Sequence, residues 1–249
     1  MANTDVSIDS VRRSLNLWNV CVSGVGRGFS DVQAQLGGVG RTIFEARIPL
    51  GEIAVGSLVK LNENGSPVEF YVSKHDYESG LNGVGRTLLV HKDCYDLREW
   101  NGSNVNVWPG CTLFNWLNGA YLNLLDEDIR SVIGTTKYYY TPGNGNKTVT
   151  IRSDAVFQLS VTELGKTASY ANAEGTALPI ASTLQIAYLN GSAVQQWTRS
   201  PVSKNTYGIY LLDSSGYVGT GYYVGTNGSR PAFTLPASLN VSDDGTILV

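Results

Sequence analysis

Residues 197–233 read WTRSP, then VSKNTYGIYLLDSSGYVGTGYYVGTN, then GSRPAF. Of the 27 residues at 202–228, 19 are Tyr, Gly, Ser, Thr or Asn, and the only charges are Lys204 and Asp213. Two strand-like runs, YGIYLLD and YVGTGYYV, flank the turn DSSG, so this segment reads as a hairpin between the strands QQWTRSP and RPAFTLP. Tyrosine supplies a large amphipathic contact surface with few torsions to freeze, and Ser, Gly and Asn adapt their hydrogen bonds, a mixture typical of antibody recognition loops. Five of the chain's 14 tyrosines lie here: Tyr207, Tyr210, Tyr217, Tyr222 and Tyr223. The competing reading half-buries each of them on a core-facing hairpin with glycines for bulges. The adjacent pair Tyr222-Tyr223 resists that reading, because neighbours on a strand point to opposite faces and one of the two is then expected outside.

The rest of the chain supplies strands at both ends and helices in the middle. VGSLVKL, a tight turn at Asn64-Gly65 and VEFYVSKHD predict a hairpin that TLLVHKDCY extends into a sheet. TLFNWL places Leu113, Trp116 and Leu117 on one helical face, and LDEDIRSVI places Ile129, Val132 and Ile133 on another, behind an Asp126 cap. KYYYTPGNGNKT reads as turn, AVFQLSVTEL as a strand entering a helical turn, and ASTLQIAYL as one more short helix. The expected class is α+β, with helices packed to one side of antiparallel sheets. Residues 1–50 differ in texture, with an amphipathic helix expected at 11–20, two glycine clusters and Pro49, and are read as an attachment and oligomerisation segment before a domain at 51–249. The string GVGR recurs at 24–27, 38–41 and 83–86; without a following G-K-[ST] it reads as a turn preceding a strand rather than a phosphate loop.

Composition narrows the function. Charged residues make up 16% of the chain, against a usual share of about 25%, and the net charge is -3. No broad basic field favours nucleic acid or anionic membrane. The start MANTDVSIDSVRRSLNLW holds no signal-peptide core and no later run suits a bilayer crossing, so neither export nor membrane insertion is expected. Cys21, Cys94 and Cys111 have no ligand spacing and read as small buried thiols. His75 and His91 fit no zinc motif, and Asp126, Glu127 and Asp128 sit where a helix N-terminus favours negative charge. No G-x-S-x-G elbow occurs. A carboxylate pair for glycoside hydrolysis, Asp93, Asp96 or Glu99 with Glu163, depends on the fold. No catalytic residue, metal or cofactor is expected, and the chain reads as a non-enzyme.

The ordered strings VGSLVKLNENGSPVEFYV, GRTLLVHKDCYDLREW, FNWLNGAYLNLLDEDIRSVIGTTKYYYTPGNGN, VFQLSVTELG, IAYLNGSAVQQWTRSP and GSRPAFTLP resemble a protein family of gut Firmicutes and their prophages over residues 53–236. The ending W-x-R-S-P, a variable stretch and G-x-R-P-A-F is similar to the C-type-lectin-like fold of phage receptor-binding proteins and of the variable proteins made by diversity-generating retroelements. That resemblance implies a phage or prophage tail adhesin, carried on the virion as a homo-oligomer such as a trimer. Residues 1–50 would join it to other tail proteins, and the hairpin would meet a bacterial surface glycan or protein. Trp197, Arg199, Pro201, Arg230, Pro231 and Phe233 would be fixed posts. Lys204, Asn205, Tyr207, Tyr210, Tyr217, Tyr222, Tyr223 and Asn227 would form the ligand-binding set. The calcium triplets of sugar-binding C-type lectins are missing, and all three cysteines lie before residue 112, unlike the formylglycine-generating enzymes of similar fold. A virion protein making contacts only within the particle, and a glycan hydrolase, are the alternatives.

Overall fold

The computed structural model describes residues 47–249 throughout and, before them, the backbone of six short strands. The chain divides into two units, residues 1–47 with 242–244 and residues 48–241 with 245–249. In the first, Asp5–Ile8 pairs with Val11–Ser14, Val20–Val22 with Val25–Arg27, and Gln33–Leu36 with Val39–Thr42, all antiparallel. The helix expected at 11–20 is corrected where the backbone is described, since Val11–Ser14 is a strand. Val6, Ile8 and Val11 flank Asp9-Ser10, and β-branched residues around a turn-forming dipeptide favour a hairpin over a helix. The side chain of Cys21 lies outside the described residues.

Nine strands build the two large sheets of the second unit: β1 (Leu58–Glu63), β2 (Ser66–His75), β3 (Arg86–His91), β4 (Asp96–Glu99), β5 (Gln196–Pro201), β6 (Gly208–Leu212), β7 (Val218–Tyr222), β8 (Thr226–Ser229) and β9 (Ala232–Pro236). One sheet has the order β9-β3-β2-β1, the other β4-β8-β5-β6-β7. Neighbours run antiparallel except where Gln196 of β5 meets Gly228 of β8. β1 buries Val59, Leu61 and Glu63 in alternation, and Asn64 and Gly65 take the positive φ of 51° and 74° that a two-residue hairpin turn demands. β3, covered on both faces, is a continuous buried run from Thr87 to His91.

Two strands pass together from the first sheet to the second. Across the gap, the His91 amide donates to the Pro231 carbonyl (2.9 Å) and the Tyr95 amide to that of Ser229 (2.8 Å). Arg230 fills this corner, its guanidinium donating to the carbonyls of His91 (2.8 Å), Leu184 (2.9 Å) and Lys92 (2.5 Å).

The helices are short: α1 (Ser79–Asn82), α2 (Thr112–Trp116), α3 (Glu127–Val132) and α4 (Ala181–Leu184). α2 winds on through a π turn at Leu117–Tyr121, burying Leu113 and Leu117 as the sequence expects. Asp126 stands at the N-cap of α3, but its carboxylate accepts from Asn62 Nδ2 (2.8 Å) and makes no capping bond. Three expectations fail for identifiable reasons. KYYY is a strand, because the aromatic run Thr136–Tyr140 pairs with Thr150–Asp154 and the turn begins only at Thr141. AVFQLSVTEL has a single bridge from Phe157 to Ala232 in place of its expected strand, because residues 158–163 turn inward toward Arg199, although the expected turn follows, with the Leu164 amide donating to the Ser160 carbonyl (3.2 Å). ASTLQIAYL is helical only at α4; Asn190 and Gly191 take φ of 51° and 79° and turn Ala187–Leu189 into a hairpin with Ser192–Val194. The second unit is therefore sheet-rich, with few helices.

The two expected posts are buried at Trp197, Arg199, Pro201, Arg230, Pro231 and Phe233. Arg199 has no exposed surface and forms a bidentate pair with Glu163 (2.6 and 3.0 Å). Its other donors reach the carbonyls of Gln158 (2.7 Å) and Tyr139 (2.8 Å). Glu163 also accepts from the Tyr77 hydroxyl and the Ser160 amide (2.8 Å). Removing one member of such a pair strands the other as an unpaired buried charge. Arg199→Met is expected to cost about 3–5 kcal/mol in denaturant unfolding, with Arg199→Met/Glu163→Gln recovering part of that loss; a loss below about 1 kcal/mol in the single variant would contradict this role.

Candidate binding face

β6 and β7 form the hairpin that the sequence singled out, and their register decides which residues face where. Gly208, Tyr210 and Leu212 pair with Tyr222, Thr220 and Val218 on one face; Ile209 and Leu211 pair with Gly221 and Gly219 on the other. The second face lies on Trp197. A Cβ built on Gly221 would stand 2.7 Å from the Trp197 ring, and one on Gly219 would stand 3.1 Å from Leu211. Gly221 lets the strand backbone approach the indole and Gly219 lets it approach Leu211, so both are part of the support rather than of an adaptable surface. The ring itself is fixed by Trp197 Nε1 donating to the Arg98 carbonyl (2.8 Å).

The eight expected ligand-binding residues separate into distinct settings. Tyr222 and Tyr217 are 65% and 70% exposed and Tyr207 is 43% exposed. The rings of Tyr207 and Tyr222 stack at 5.5 Å with an interplanar angle of 14°, at the open end of the hairpin. Tyr217 stands at the other end, beyond the turn where Asp213 Oδ1 accepts from the amides of Ser215 (2.8 Å) and Tyr217 (3.0 Å). Lys204 is exposed, with its ammonium 4.2 Å from the Tyr170 ring centre. Asn205 is half-buried and its Oδ1 holds the turn by accepting from the amides of Tyr207 (3.0 Å) and Gly208 (2.7 Å).

Three of the eight are withdrawn from the face. Tyr210 is only 5% exposed, because residues 161–171 cover it: it packs with Val161 and Val202, and its hydroxyl accepts from the Tyr170 amide (3.2 Å). Tyr223 packs on the main core, and its carbonyl accepts from the amides of Trp100 (3.0 Å) and Asn101 (2.9 Å). Asn227 is buried inside β8, paired with Arg98 in β4. The expectation that one of Tyr222 and Tyr223 faces outward holds, and Tyr222 is that residue.

Sequence reasoning passed over the residue that joins the loops around this face. Asn106 is fully buried. Its Nδ2 donates to the carbonyls of Gly208 (2.8 Å) and Asn205 (3.2 Å), its own amide donates to the Thr206 carbonyl (2.7 Å), and its Oδ1 accepts from the Asn144 amide (2.7 Å). The loop carrying Tyr207 is thus tied to two others by one side chain. Ser203 ties it to a third, its amide and hydroxyl both donating to the Tyr170 carbonyl (2.9 and 2.8 Å). A lone Asn between Val105 and Val107 gives no signal of this in the sequence.

Several ionisable groups away from the face are buried and spent on structure. Glu163, weighed against Asp93, Asp96 and Glu99 for glycoside hydrolysis, has no exposed surface and is occupied by Arg199, Tyr77 and Ser160. Burial pushes the thiols of Cys94 and Cys111 up to about 12, so neither is a thiolate at neutral pH. His91 Nε2 lies 3.3 Å from Glu63, which also accepts from the Tyr121 hydroxyl. Among the described residues no group of three His, Cys, Asp or Glu side chains is placed to hold a metal ion, and no helix is long and apolar enough to cross a membrane. A groove of about 600 Å³ lies beside Tyr139, Ile151, Ala173, Gly175 and Glu78. Beneath it, Glu174 is fully buried and accepts from the Thr141 amide (2.7 Å) and the Ser200 hydroxyl (2.5 Å). Desolvation pushes its carboxyl above the usual range, against the opposing influence of Arg199.

The chain belongs to the family described as a domain of unknown function, DUF6273, whose model matches residues 84–237. Neither a curated protein nor a solved structure matches it. The matched region begins just before β3 and ends just after β9, so it holds both posts, the hairpin and the corner at Arg230.

Gly221→Ala is expected to destabilise the fold by about 1–3 kcal/mol, seen as a lower thermal midpoint, because the Trp197 ring has nowhere to retreat. Glu174 gives a second expectation. Its folded-state carboxyl titrates above the unfolded value, so its contribution is full at pH below about 4 and is lost as pH rises through the folded value. Glu174→Gln keeps an acceptor for the Thr141 amide and has an NH2 that donates to the Ser200 hydroxyl oxygen, and its melting temperature should gain on the parent's as pH is raised from 4 to 7. A constant difference across that range would show that Glu174 does not titrate within it.

Proposed function

We propose that this DUF6273 member is a non-catalytic binding protein: a phage or prophage tail adhesin whose C-type-lectin-like domain offers the open end of the β6–β7 hairpin to a bacterial surface ligand. The reading is carried by one contrast. Tyr207 and Tyr222 stack in the open, while Tyr210 and Tyr223 of the same segment are built into the interior. An exposed aromatic pair leaves apolar ring surface in water without a partner inside the chain, and such surface is typical of recognition loops. Its support is over-determined: Trp197 below, Asn106 beside, Arg199 and Arg230 at the two posts. A face held this firmly binds with little ordering cost.

Several features support the lectin-like reading: the pairing of β3 with β9 near the two ends of the matched region, the short helices between them, and a hairpin inserted between W-x-R-S-P and G-x-R-P-A-F. Residues 1–50 are assigned to attachment within the tail and to homo-oligomer formation, and the virion is the proposed location.

Tyr207→Ser/Tyr217→Ser/Tyr222→Ser should fold, losing no more than about 1–2 kcal/mol for the broken stack and the exposed ring surface, and should lower adsorption to host cells at least tenfold. Tyr210→Ser should instead lower the melting temperature. Full adsorption by the folded triple variant would overturn the adhesin reading and favour a protein that makes contacts only within the particle.

A further inference from the structure

The first unit carries a repeat that the binding face does not use. Aligned in steps of 14, residues 5–46 read DVSIDSVRRSLNLW, NVCVSGVGRGFSDV and QAQLGGVGRTIFEA. In each step the second and fourth places are apolar, the seventh is Val, the ninth is Arg and the eleventh is Leu, Phe or Ile. Two of the three GVGR strings fall in consecutive steps, and the third, at 83–86, stands outside them. The backbone keeps the same period. The pairs Ile8–Val11, Val22–Val25 and Leu36–Val39 occupy equivalent positions, as do Val6–Arg13, Val20–Arg27 and Ala34–Arg41. Strand partners and alternate residues share a face. Each hairpin therefore has one face of three apolar residues with an arginine at the rim, and an opposite face of polar residues and glycine, Cys21 excepted.

We infer that this repeat is where copies of the chain assemble: residues 5–46 build the shaft of a homo-oligomer, in which each hairpin covers its apolar face with the equivalent hairpin of a neighbouring copy. A two-stranded sheet is marginal alone, and among the described residues no strand of these hairpins pairs outside its own hairpin. A unit well under about 70 residues is normally completed by disulfides, a structural metal or oligomerisation. Residues 5–46 hold one cysteine and no histidine, so they can close no disulfide among themselves and lack the usual ligands of a structural zinc. Oligomerisation is the route left. A second copy also fits, because it brings the same face at the same spacing, and a slip by one repeat leaves a hairpin uncovered on each copy. Charge does not oppose the match: Arg12, Arg13, Arg27 and Arg41 are balanced by Asp5, Asp9, Asp31 and Glu45. The inference rests on the oligomer assigned to residues 1–50, names its building unit, and is independent of what the β6–β7 hairpin binds.

The test is sedimentation velocity on the full chain. The parent should run as an assembly with several times the mass of one chain. Val11→Asp/Val25→Asp/Val39→Asp places a carboxylate at the seventh place of every repeat and should raise the dissociation constant about a hundredfold or more, since each would be buried without a partner. Ser7→Asp/Cys21→Asp/Gln35→Asp puts the same charges at the third place, on the opposite face, and should leave the assembly as it is in the parent. Both variants should keep the near-ultraviolet circular dichroism that the second unit owes to Trp100, Trp108 and Trp197 in its core, so that lost assembly is not a lost fold. A monomeric parent, an assembly that the valine variant leaves intact, or one that the third-place variant dissociates equally would overturn the inference. Monomers that still adsorb to host cells through Tyr207 and Tyr222 would remove the shaft and leave the adhesin reading standing; an assembly broken by the valine variant, in a protein that does not adsorb, would do the reverse.

Discussion

The Arg199–Glu163 pair is the contact on which the second unit turns. It lies without solvent between β5, the inward turn at 158–163 and the carbonyl of Tyr139, so one guanidinium gathers three stretches far apart in sequence. Burying both charges is costly, and the bidentate geometry together with the Tyr77 hydroxyl and the Ser160 amide is what makes it tolerable. The second arginine of the posts solves a different problem with the same side chain. Arg230 faces no carboxylate and instead satisfies three carbonyls at the corner where β3 and β9 leave their sheet. Burial accordingly lowers its pKa from the usual value, although it remains a cation at any ordinary pH.

These anchors explain how a segment of mostly Tyr, Gly, Ser, Thr and Asn keeps a defined shape. Such residues bury little apolar surface of their own, and β7 shows how the deficit is met. Gly221 brings the backbone onto Trp197 and Gly219 brings it onto Leu211, so the indole of one post and a β6 leucine do the packing that β7 side chains would otherwise do. On the other face, residues 161–171 fold over Tyr210 and turn a nominal surface tyrosine into core. What is left uncovered is a small aromatic and cationic patch at one end.

Much of this was legible from local signals. The Asn64-Gly65 turn, the alternation of β1, the face of α2 and the hairpin at DSSG each follow from short-range rules that the tertiary structure does not contest. The posts were expected as scaffold from the resemblance, and they are buried. Long-range contacts were not legible. Nothing around Tyr210 announces the loop that covers it, and Asn106 looks like any surface amide until three loops converge on it. KYYYTPGNGNKT reads as turn from its Pro and Gly, whereas the aromatic run before them has a strand partner ten residues on. In the binding set, exposure was right for Tyr207, Tyr217, Tyr222 and Lys204, and the strand period alone could not reveal that residues 223–225 leave the sheet and turn Tyr223 inward.

The pleat of β7 has a consequence for how this protein can change over generations. Alternate positions along one short strand answer to different constraints: Gly219 to Leu211 and Gly221 to the indole beneath, Thr220 and Tyr222 to whatever lies outside. Under the proposed binding role, recognition and foldability are thereby written in interleaved letters of the same word. A lineage can rewrite one set without reopening the other, and the number of tolerated spellings grows as the product of choices at the outward positions alone.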